Sequence, residues 1–253
     1  EAMADQLTLR LESDSAGWPT VLRPMLAQLV AEPFDDPDTL FEPWWGGERT
    51  LAYTGRDPLP GPVGLRLIGA DGVILTERVP ELAGLPGRLA ARSAILDGTL
   101  VAVDPSGRLD TEGLAARLAG GAGPGLAYLV YDLLGLDGRP LVAEPLERRR
   151  ARLARLLDPS PSIVLVPMIA GEGRALSAAA AAQGVGWVLA RDRHSPYLAG
   201  MVSRLWRLIS LDPPGAAPGS TEPASPASPG EPGTGASPIL ALIRRLPLDE
   251  PGP

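Results

Sequence analysis

Residues 41–53 read FEPWWGGERTLAY, and this stretch has the outline of an active-site loop between two strands. Two tryptophans and two glycines occupy its centre, where chemistry would be done. The stretch contains no lysine, histidine or serine that could act as a nucleophile or a base. Its composition therefore leaves open whether a catalytic group has been lost here or the segment is an ordinary turn.

The rest of the chain does not supply the missing group. All 23 basic residues are arginine, and the chain contains no lysine. An arginine remains protonated and cannot replace a lysine nucleophile. The single histidine, His194, lies in the polar sequence RDRHSPY, where we expect a surface role. No cluster of metal-ligating residue types is visible, so we predict no metal site.

Composition and charge exclude several classes of protein and of binding site. There are no cysteines among the 253 residues, which excludes a disulfide framework and a thiolate metal site. The net charge is −7, of which −4 lies in residues 1–211 and −3 in the remainder, so neither part has the basic surplus typical of phosphate-backbone binding. The charged first residues lack an apolar signal core, and we expect a cytoplasmic protein with no membrane contact.

The composition changes sharply near residue 211. Residues 212–238 are mainly proline, glycine, serine and alanine, which predicts a disordered linker because such a segment buries too little apolar surface. We therefore divide the chain into an N-terminal arm at 1–20, one folded domain at 21–211, the linker at 212–238 and a short apolar segment at 239–253.

Within the folded domain, apolar periodicity and turn residues predict an α+β fold of antiparallel hairpins interleaved with four or five helices. Hairpins are expected at 64–77, with an Asp-Gly turn, and at 93–110. A loop is expected around Pro33 and Pro37. Predicted helices are 81–91, 111–118, 145–157 and 175–183. Further strands are predicted at 39–42, 49–53, 126–132, 162–167, 186–191 and 203–210.

The helix at 145–157 carries an arginine-rich stretch, residues 148–155. These arginines are either a nucleic-acid-binding patch or a solvated helix face. We favour the solvated face, because charge runs on helices are usually exposed.

Six short motifs occur in order along residues 22–209. They are RPMLA at 23–27, FEP followed by Gly47 and Arg49, ILDG at 95–98, YLVYDLLGLD at 128–137, SPY at 195–197, and Ser203-Arg204 with Trp206. In this order the chain resembles the adenylation (nucleotidyltransferase) domain of ATP-dependent DNA ligases, most closely the bacterial end-joining type. The resemblance implies a DNA-ligase-like nucleotidyltransferase domain of antiparallel sheets flanked by helices, here followed by a proline-rich tail instead of the family's OB-fold domain.

The resemblance also identifies departures from the family pattern. In the family a lysine attacks the α-phosphate of ATP, and Trp44 occupies its position. The other departures lie at positions that hold phosphate, ribose or metal in the family: Gly46, Ala70, Thr99, Gly186, Arg191, Leu208 and Ser210. We therefore expect no catalytic residue in this chain.

Three residues match the family's adenosine-binding positions. Glu42 matches the residue beside the adenine amino group, Arg49 the residue near the ribose, and Tyr131 a stacking phenylalanine. These residues also fit a structural interpretation, in which Glu42 pairs with Arg49, Tyr131 is a core aromatic, and Trp44 and Trp45 fill the vacated pocket.

We therefore predict a catalytically inactive DNA ligase homologue, a pseudo-ligase that acts as a binding or scaffold protein related to DNA repair. The alternatives are a ligase or nucleotidyltransferase with residual activity and a nucleotide-binding regulator. We expect no cofactor, although ATP is the ligand that the resemblance would allow, and weak or no DNA binding.

The last segment contains PILALIRRLPL at 238–248. Five apolar residues recur there at helical spacing: Ile239, Leu240, Leu242, Ile243 and Leu246. This stripe either binds an unknown protein partner, docks back on the domain, or is a disordered end. Of the two functional roles, we favour the protein partner.

Overall fold

A computed structural model describes residues 22–55, 64–104 and 108–211. The predicted arm, linker and apolar C-terminal segment therefore lie outside the described residues. Eleven strands and three α-helices form the described part of the chain. The strands are β1 (Leu26–Val30), β2 (Asp36–Trp44), β3 (Glu48–Gly55), β4 (Leu65–Gly69), β5 (Ser93–Ala102), β6 (Leu126–Leu136), β7 (Arg139–Pro140), β8 (Ile163–Leu165), β9 (Ile169–Gly171), β10 (Trp187–Asp192) and β11 (Val202–Ser210). The helices are α1 (Thr111–Leu118), α2 (Leu146–Leu156) and α3 (Gly173–Ala182).

Two sheets form the domain, which confirms the predicted α+β class. Sheet A has the strand order β1-β11-β10-β2-β9, and sheet B has the order β4-β3-β5-β6-β7, with β8 pairing with β6. Neighbouring strands are antiparallel except β1 with β11 and β6 with β8. The chain passes from sheet A to sheet B through the three residues between β2 and β3.

Sheet A buries one face under α3. Phe41, Val188, Ala190 and Ile209 from this face pack with Leu176 of the helix. Because side chains alternate along a strand, the residues between them point to the opposite face, toward sheet B. Trp206 on that face belongs to a buried cluster with Leu51 and Ile95 of sheet B, so the two sheets meet there. We use the word cleft for the region beside this contact, where Trp44 of sheet A meets Tyr131 of sheet B.

Several predicted elements differ from the structure. Residues 81–91 do not form an α-helix but short 3-10 turns, Pro80–Leu82 and Leu85–Arg88, because Pro86 and two glycines interrupt the helical pattern. Pro37 lies inside β2 and not in a loop. The return strands of both predicted hairpins shrink to isolated bridges, Ile68 with Ile74 and Val103 with Leu109. After the first bridge the chain enters the 3-10 turn Thr76–Arg78, and beside the second bridge β3 and β6 occupy both edges of β5.

The longer periodic segments form as predicted. The helix at 111–118 is confirmed, and its N-cap is Asp110, whose carboxylate accepts a 2.7 Å hydrogen bond from the Gly113 amide. The buried strand at 126–132 is confirmed as the start of β6. Among the described residues, no helix is both long enough and apolar enough to cross a membrane.

Candidate functional site: the cleft between the two sheets

The loop from Trp45 to Gly47 lies where the chain crosses between the sheets. Gly46 and Gly47 adopt positive φ angles of 71° and 90°, a conformation that glycine tolerates best. A β-carbon at Gly47 would clash with the Leu100 carbonyl oxygen and lie 2.8 Å from the Thr99 side chain. The two glycines therefore hold β2 and β3 in the geometry that presents Trp44 to the cleft.

Trp44 covers one wall of the cleft. Its ring lies 4.9 Å from the ring of Tyr131, with the two planes 38° apart. The guanidinium of Arg49 lies over the indole, 5.2 Å from its centroid, a cation–π arrangement. Two of the three predicted adenosine-binding residues thus contact the indole. The neighbouring Trp45 points away and is buried in the core that includes Phe41 and Val101.

Arg49 is held by sheet B. Its guanidinium donates two hydrogen bonds, of 2.6 and 2.5 Å, to the Asp97 carboxylate. The Tyr197 hydroxyl donates a third, of 2.8 Å, to the same carboxylate. Burial alone would lower the pKa of Arg49, but the charge of Asp97 and its hydrogen bonds raise it above the ordinary value. Arg49 is therefore a fixed cation beside Trp44.

Glu42 does not pair with Arg49, so that structural interpretation was wrong. The Glu42 carboxylate is fully buried and lies 2.7 Å from Nη2 of Arg191 and 3.3 Å from Nη2 of Arg150. Asp97 is the partner of Arg49 because the two stand on adjacent strands, with Arg49 opposite Thr99 and Asp97 two residues away on the same face. Glu42 is held instead by β10 and by α2.

These contacts belong to a larger buried ion network. Asp132 accepts two hydrogen bonds from Arg149, of 2.9 and 2.8 Å, and lies 3.2 Å from Arg191. The network thus joins two carboxylates to three guanidiniums, and all five side chains are almost completely buried. Burial alone would raise the pKa of Asp132, but Arg149 and Arg191 lower it below its usual value. Burial lowers the pKa of Arg150 despite the opposing charge of Glu42.

Two arginines of α2 do not lie on a solvated face. Arg149 and Arg150 are buried and point into the domain, so the favoured prediction was wrong for them. The signal was present in the spacing. Leu146, Arg149, Arg150 and Leu153 stand at positions i, i+3, i+4 and i+7, the spacing of the buried side of a helix.

Tyr131 is fully buried in the core of sheet B, beneath Trp44. Burial raises the pKa of its hydroxyl, and the nearby charge of Glu42 adds to the shift. The ring is thus both a core aromatic and the surface that the indole covers.

The other departures from the ligase pattern fall in or beside the same cleft. Thr99 is buried on β5 next to Arg49. Gly186 immediately precedes β10, and Leu208 and Ser210 stand on β11 opposite Leu189 and Trp187. Where the resemblance places carboxylates and lysines, the chain therefore has Thr99, Gly186, Leu208 and Ser210, none of which carries a charge. His194 lies away from the cleft with 60% of its side chain exposed, near Asp38 and Glu147.

ATP is the ligand that this fold implies, and the residues present do not fit it. The adenine-side carboxylate of Glu42 is engaged by Arg191 and Arg150, and the face of Tyr131 is covered by Trp44. Within residues 22–55, 64–104 and 108–211, no group of three or more His, Asp or Glu side chains is placed to hold a metal ion.

Comparison with known proteins places the chain among ligases. No protein-family profile matches it. A "Probable DNA ligase" of Kineococcus radiotolerans is 32% identical over 151 residues, which are 58% of this chain and 29% of that protein. The "Multifunctional non-homologous end joining protein LigD" of Mycobacterium bovis is 29% identical over 166 residues, which are 66% of this chain and 21% of that protein. The chain thus spans less than a third of the length of these relatives.

Solved structures agree with the sequence relatives. A mycobacterial DNA ligase D complexed with ATP and MES has a TM-score of 0.63 and 27% identity, over 75% of this chain and 60% of that chain. The ligase domain of LigD from M. tuberculosis has a TM-score of 0.63 and 28% identity, over 74% of this chain and 58% of that chain.

Proposed function

This chain is a homologue of the adenylation domain of ATP-dependent DNA ligases of the end-joining type, and from this premise we propose that it has lost nucleotidyl transfer and acts as a binding or scaffold protein related to DNA repair. The observation that carries the proposal is Trp44 at the position of the nucleophilic lysine, packed against Tyr131. An indole has no basic amine and cannot form a phosphoramidate.

Loss of the nucleophile is matched by loss of charge around the reacting phosphate. Phosphoryl transfer depends on cations placed where negative charge develops, and on positioning of the leaving group. Leu208 and Ser210 occupy the two positions at which the family carries phosphate-binding lysines. Arg191 takes the place of a third lysine, but Glu42 and Asp132 engage its guanidinium.

The remaining polar groups of the pocket also support a non-catalytic role. Glu42 and Arg49, the two charged residues expected to face adenosine, are used for internal ion pairs with Arg191 and Asp97. Replacing those contacts by a nucleotide would leave buried charges unpaired, which costs about 3–5 kcal/mol for each broken pair. Neither residual ligase activity nor nucleotide sensing is favoured by this arrangement.

We further propose that DNA affinity is weak. The net charge of residues 1–211 is −4, and three arginines of the network are buried in ion pairs and unavailable to phosphates. The expected dissociation constant for nicked duplex is roughly 10⁻⁴ M or weaker at physiological salt. Fluorescence anisotropy with a labelled nicked duplex measures it, and sub-micromolar binding would contradict this part of the proposal.

Incubation with α-labelled ATP and a divalent metal, followed by denaturing electrophoresis, tests the loss of chemistry. An active end-joining ligase serves as the positive control. Calorimetric titration with ATP on the same preparation shows whether the chain binds ATP without forming a covalent product. We expect no labelled band and no binding heat. A labelled band would overturn the proposal, and saturable heat without a band would favour a nucleotide-binding regulator.

A further inference from the structure

The strand register of sheet A places apolar side chains in two adjacent rows along the cleft. Trp44 of β2 stands opposite Trp187 of β10. One row further along, Leu189 of β10 stands opposite Leu208 of β11, and Leu208 stands opposite Leu29 of β1. Directly opposed residues of neighbouring strands point to the same side of a sheet. We name the surface formed by Leu29, Trp44, Trp187 and Leu208 the apolar cleft face.

This face lies on the side of sheet A that α3 does not cover. Trp44 identifies the side, because its ring packs against Tyr131 of sheet B. Residues of the alternate register, such as Phe41 and Val188, pack with α3 on the other side. Leu29 is 65% exposed, and Trp44, Trp187 and Leu208 are half-buried. Four large apolar side chains in two adjacent rows of the sheet are more than scattered surface residues and indicate a contact surface.

The face also lies where the resemblance places the phosphate end of the nucleotide cleft. Leu208 and Ser210 stand at the two expected lysine positions, and Trp187 pairs with Ser210. None of the four residues of the face carries a charge. A highly charged triphosphate therefore finds no partner among them, whereas an apolar segment buries area against each of them.

The described chain ends beside this face. Ser210, opposite Trp187, is followed by Leu211, the last described residue. Trp44 lies two strands away from Ser210, a distance of roughly 10 Å at ordinary strand spacing. The next strongly apolar sequence is the stripe of Ile239, Leu240, Leu242, Ile243 and Leu246. The 27 residues between reach on the order of 30 Å if flexible, which is more than the face requires.

We propose that residues 239–246 bind the apolar cleft face of the same molecule. The segment supplies five apolar side chains to four exposed or half-buried ones, and the connection brings it to the face at an effective concentration on the order of 1 mM. An intrinsic dissociation constant of about 0.1 mM then leaves about nine molecules in ten docked. Capture of a protein partner through this segment requires its release from the face.

Hydrogen exchange on the full-length chain tests the docking without partner or nucleotide. Docking of this strength slows amide exchange at 239–246 by about tenfold. The tail variant Leu242→Asp with Ile243→Asp removes that protection and makes Trp44 and Trp187 more accessible to acrylamide quenching. Leu29→Asp on the face releases the segment in the same way. The matched control is Ile74→Asp, since Ile74 is 55% exposed but forms an isolated bridge with Ile68 at the edge of sheet B.

The tail variant and the face variant together distinguish release of the segment from misfolding of the domain. The tail substitutions lie outside the described fold, and the thermal midpoint of Leu29→Asp is compared with that of Ile74→Asp. Equal exchange at 239–246 in the wild type and in the tail variant overturns the proposal, as does equal release by Ile74→Asp. Protection that appears only with dimer formation in sedimentation also overturns it, because the segment then binds a second copy.

Discussion

The ring of Trp44 lies 4.9 Å from the ring of Tyr131 and 5.2 Å from the guanidinium of Arg49. The indole thus contacts two of the three residues expected to contact adenosine. Planar rings at this separation interact favourably beyond their buried area. A side chain with no basic amine therefore lies where the resemblance places the family's nucleophilic lysine.

Restoring the nucleophile alone should not restore chemistry. We expect Trp44→Lys to seal no nicks, because Thr99, Leu208 and Ser210 still lack the groups that position metal and phosphate. A nick-sealing assay checks this, with an active end-joining ligase run in parallel. Sealing by the single variant at a rate near that of the control would show that the other departures are harmless.

The buried ion network should contribute strongly to stability. Glu42→Ala leaves Arg150 without its carboxylate partner and removes one of the two carboxylates that engage Arg191. Removing one member of a buried ion pair costs about 3–5 kcal/mol of the free energy of unfolding. Urea denaturation measures the change. The matched control is Asp158→Ala, whose carboxylate pairs with Arg88 at 2.8 Å but is 75% exposed; it should cost no more than about 1 kcal/mol. Equal losses in the two variants would contradict the structural role of Glu42.

The low pKa of Asp132 makes part of this stability pH-dependent. Its pKa in the folded state lies below the model-compound value of 3.8, so its contribution is present above that value and disappears as the pH falls through the folded-state pKa. We expect the difference in free energy of unfolding between the wild type and Asp132→Asn to shrink as the pH falls below about 4. Burial raises the pKa of Glu48, so the stability that its protonated form contributes is lost as the pH rises through the folded-state pKa. A difference that stays constant from pH 5 to pH 2.5 would refute the assignment.

Gly47 should be the least replaceable glycine of the loop. An alanine there combines a positive φ of 90° with contacts to Leu100 and Thr99 that are too close, and we expect a loss of about 3 kcal/mol. Gly72→Ala is the matched control, because Gly72 has a φ of 89° but no heavy atom within 4 Å of the added carbon. It should cost about 1 kcal/mol. Thermal denaturation of both variants gives the comparison, and similar losses would mean that crowding at Gly47 is unimportant.

Regular elements were predictable where one local signal dominates. The N-cap and periodicity of α1, and the continuous apolar run of β6, specify their conformations within a few residues. The segment at 81–91 misled because its apolar spacing is helical, while Pro86 and its flanking glycines decide the backbone. The return strands of the hairpins are short for other reasons: a 3-10 turn begins at Thr76 after the first bridge, and β3 and β6 occupy both edges of β5.

The candidate site was only partly predictable. The resemblance located Glu42, Arg49, Tyr131 and Trp44, and the structure brings all four to one cleft. Their partners could not be assigned from spacing, because Glu42 meets Arg191 across 149 residues of sequence. The charge of Arg149 and Arg150 predicts exposure to solvent, whereas their spacing from Leu146 places them on the buried side of α2. A buried arginine is stable only beside a carboxylate, and only the fold brings Asp132 and Glu42 to them.

Intact-protein mass spectrometry after incubation with saturating ATP and Mg²⁺ tests whether this chain has lost nucleotidyl transfer. It detects a covalent nucleotide on any residue, and so does not assume which side chain would carry it. We expect the unmodified mass at every time point, while an active end-joining ligase in the same experiment gains the mass of AMP. A species of this chain with the added mass of AMP would show that it still transfers a nucleotide.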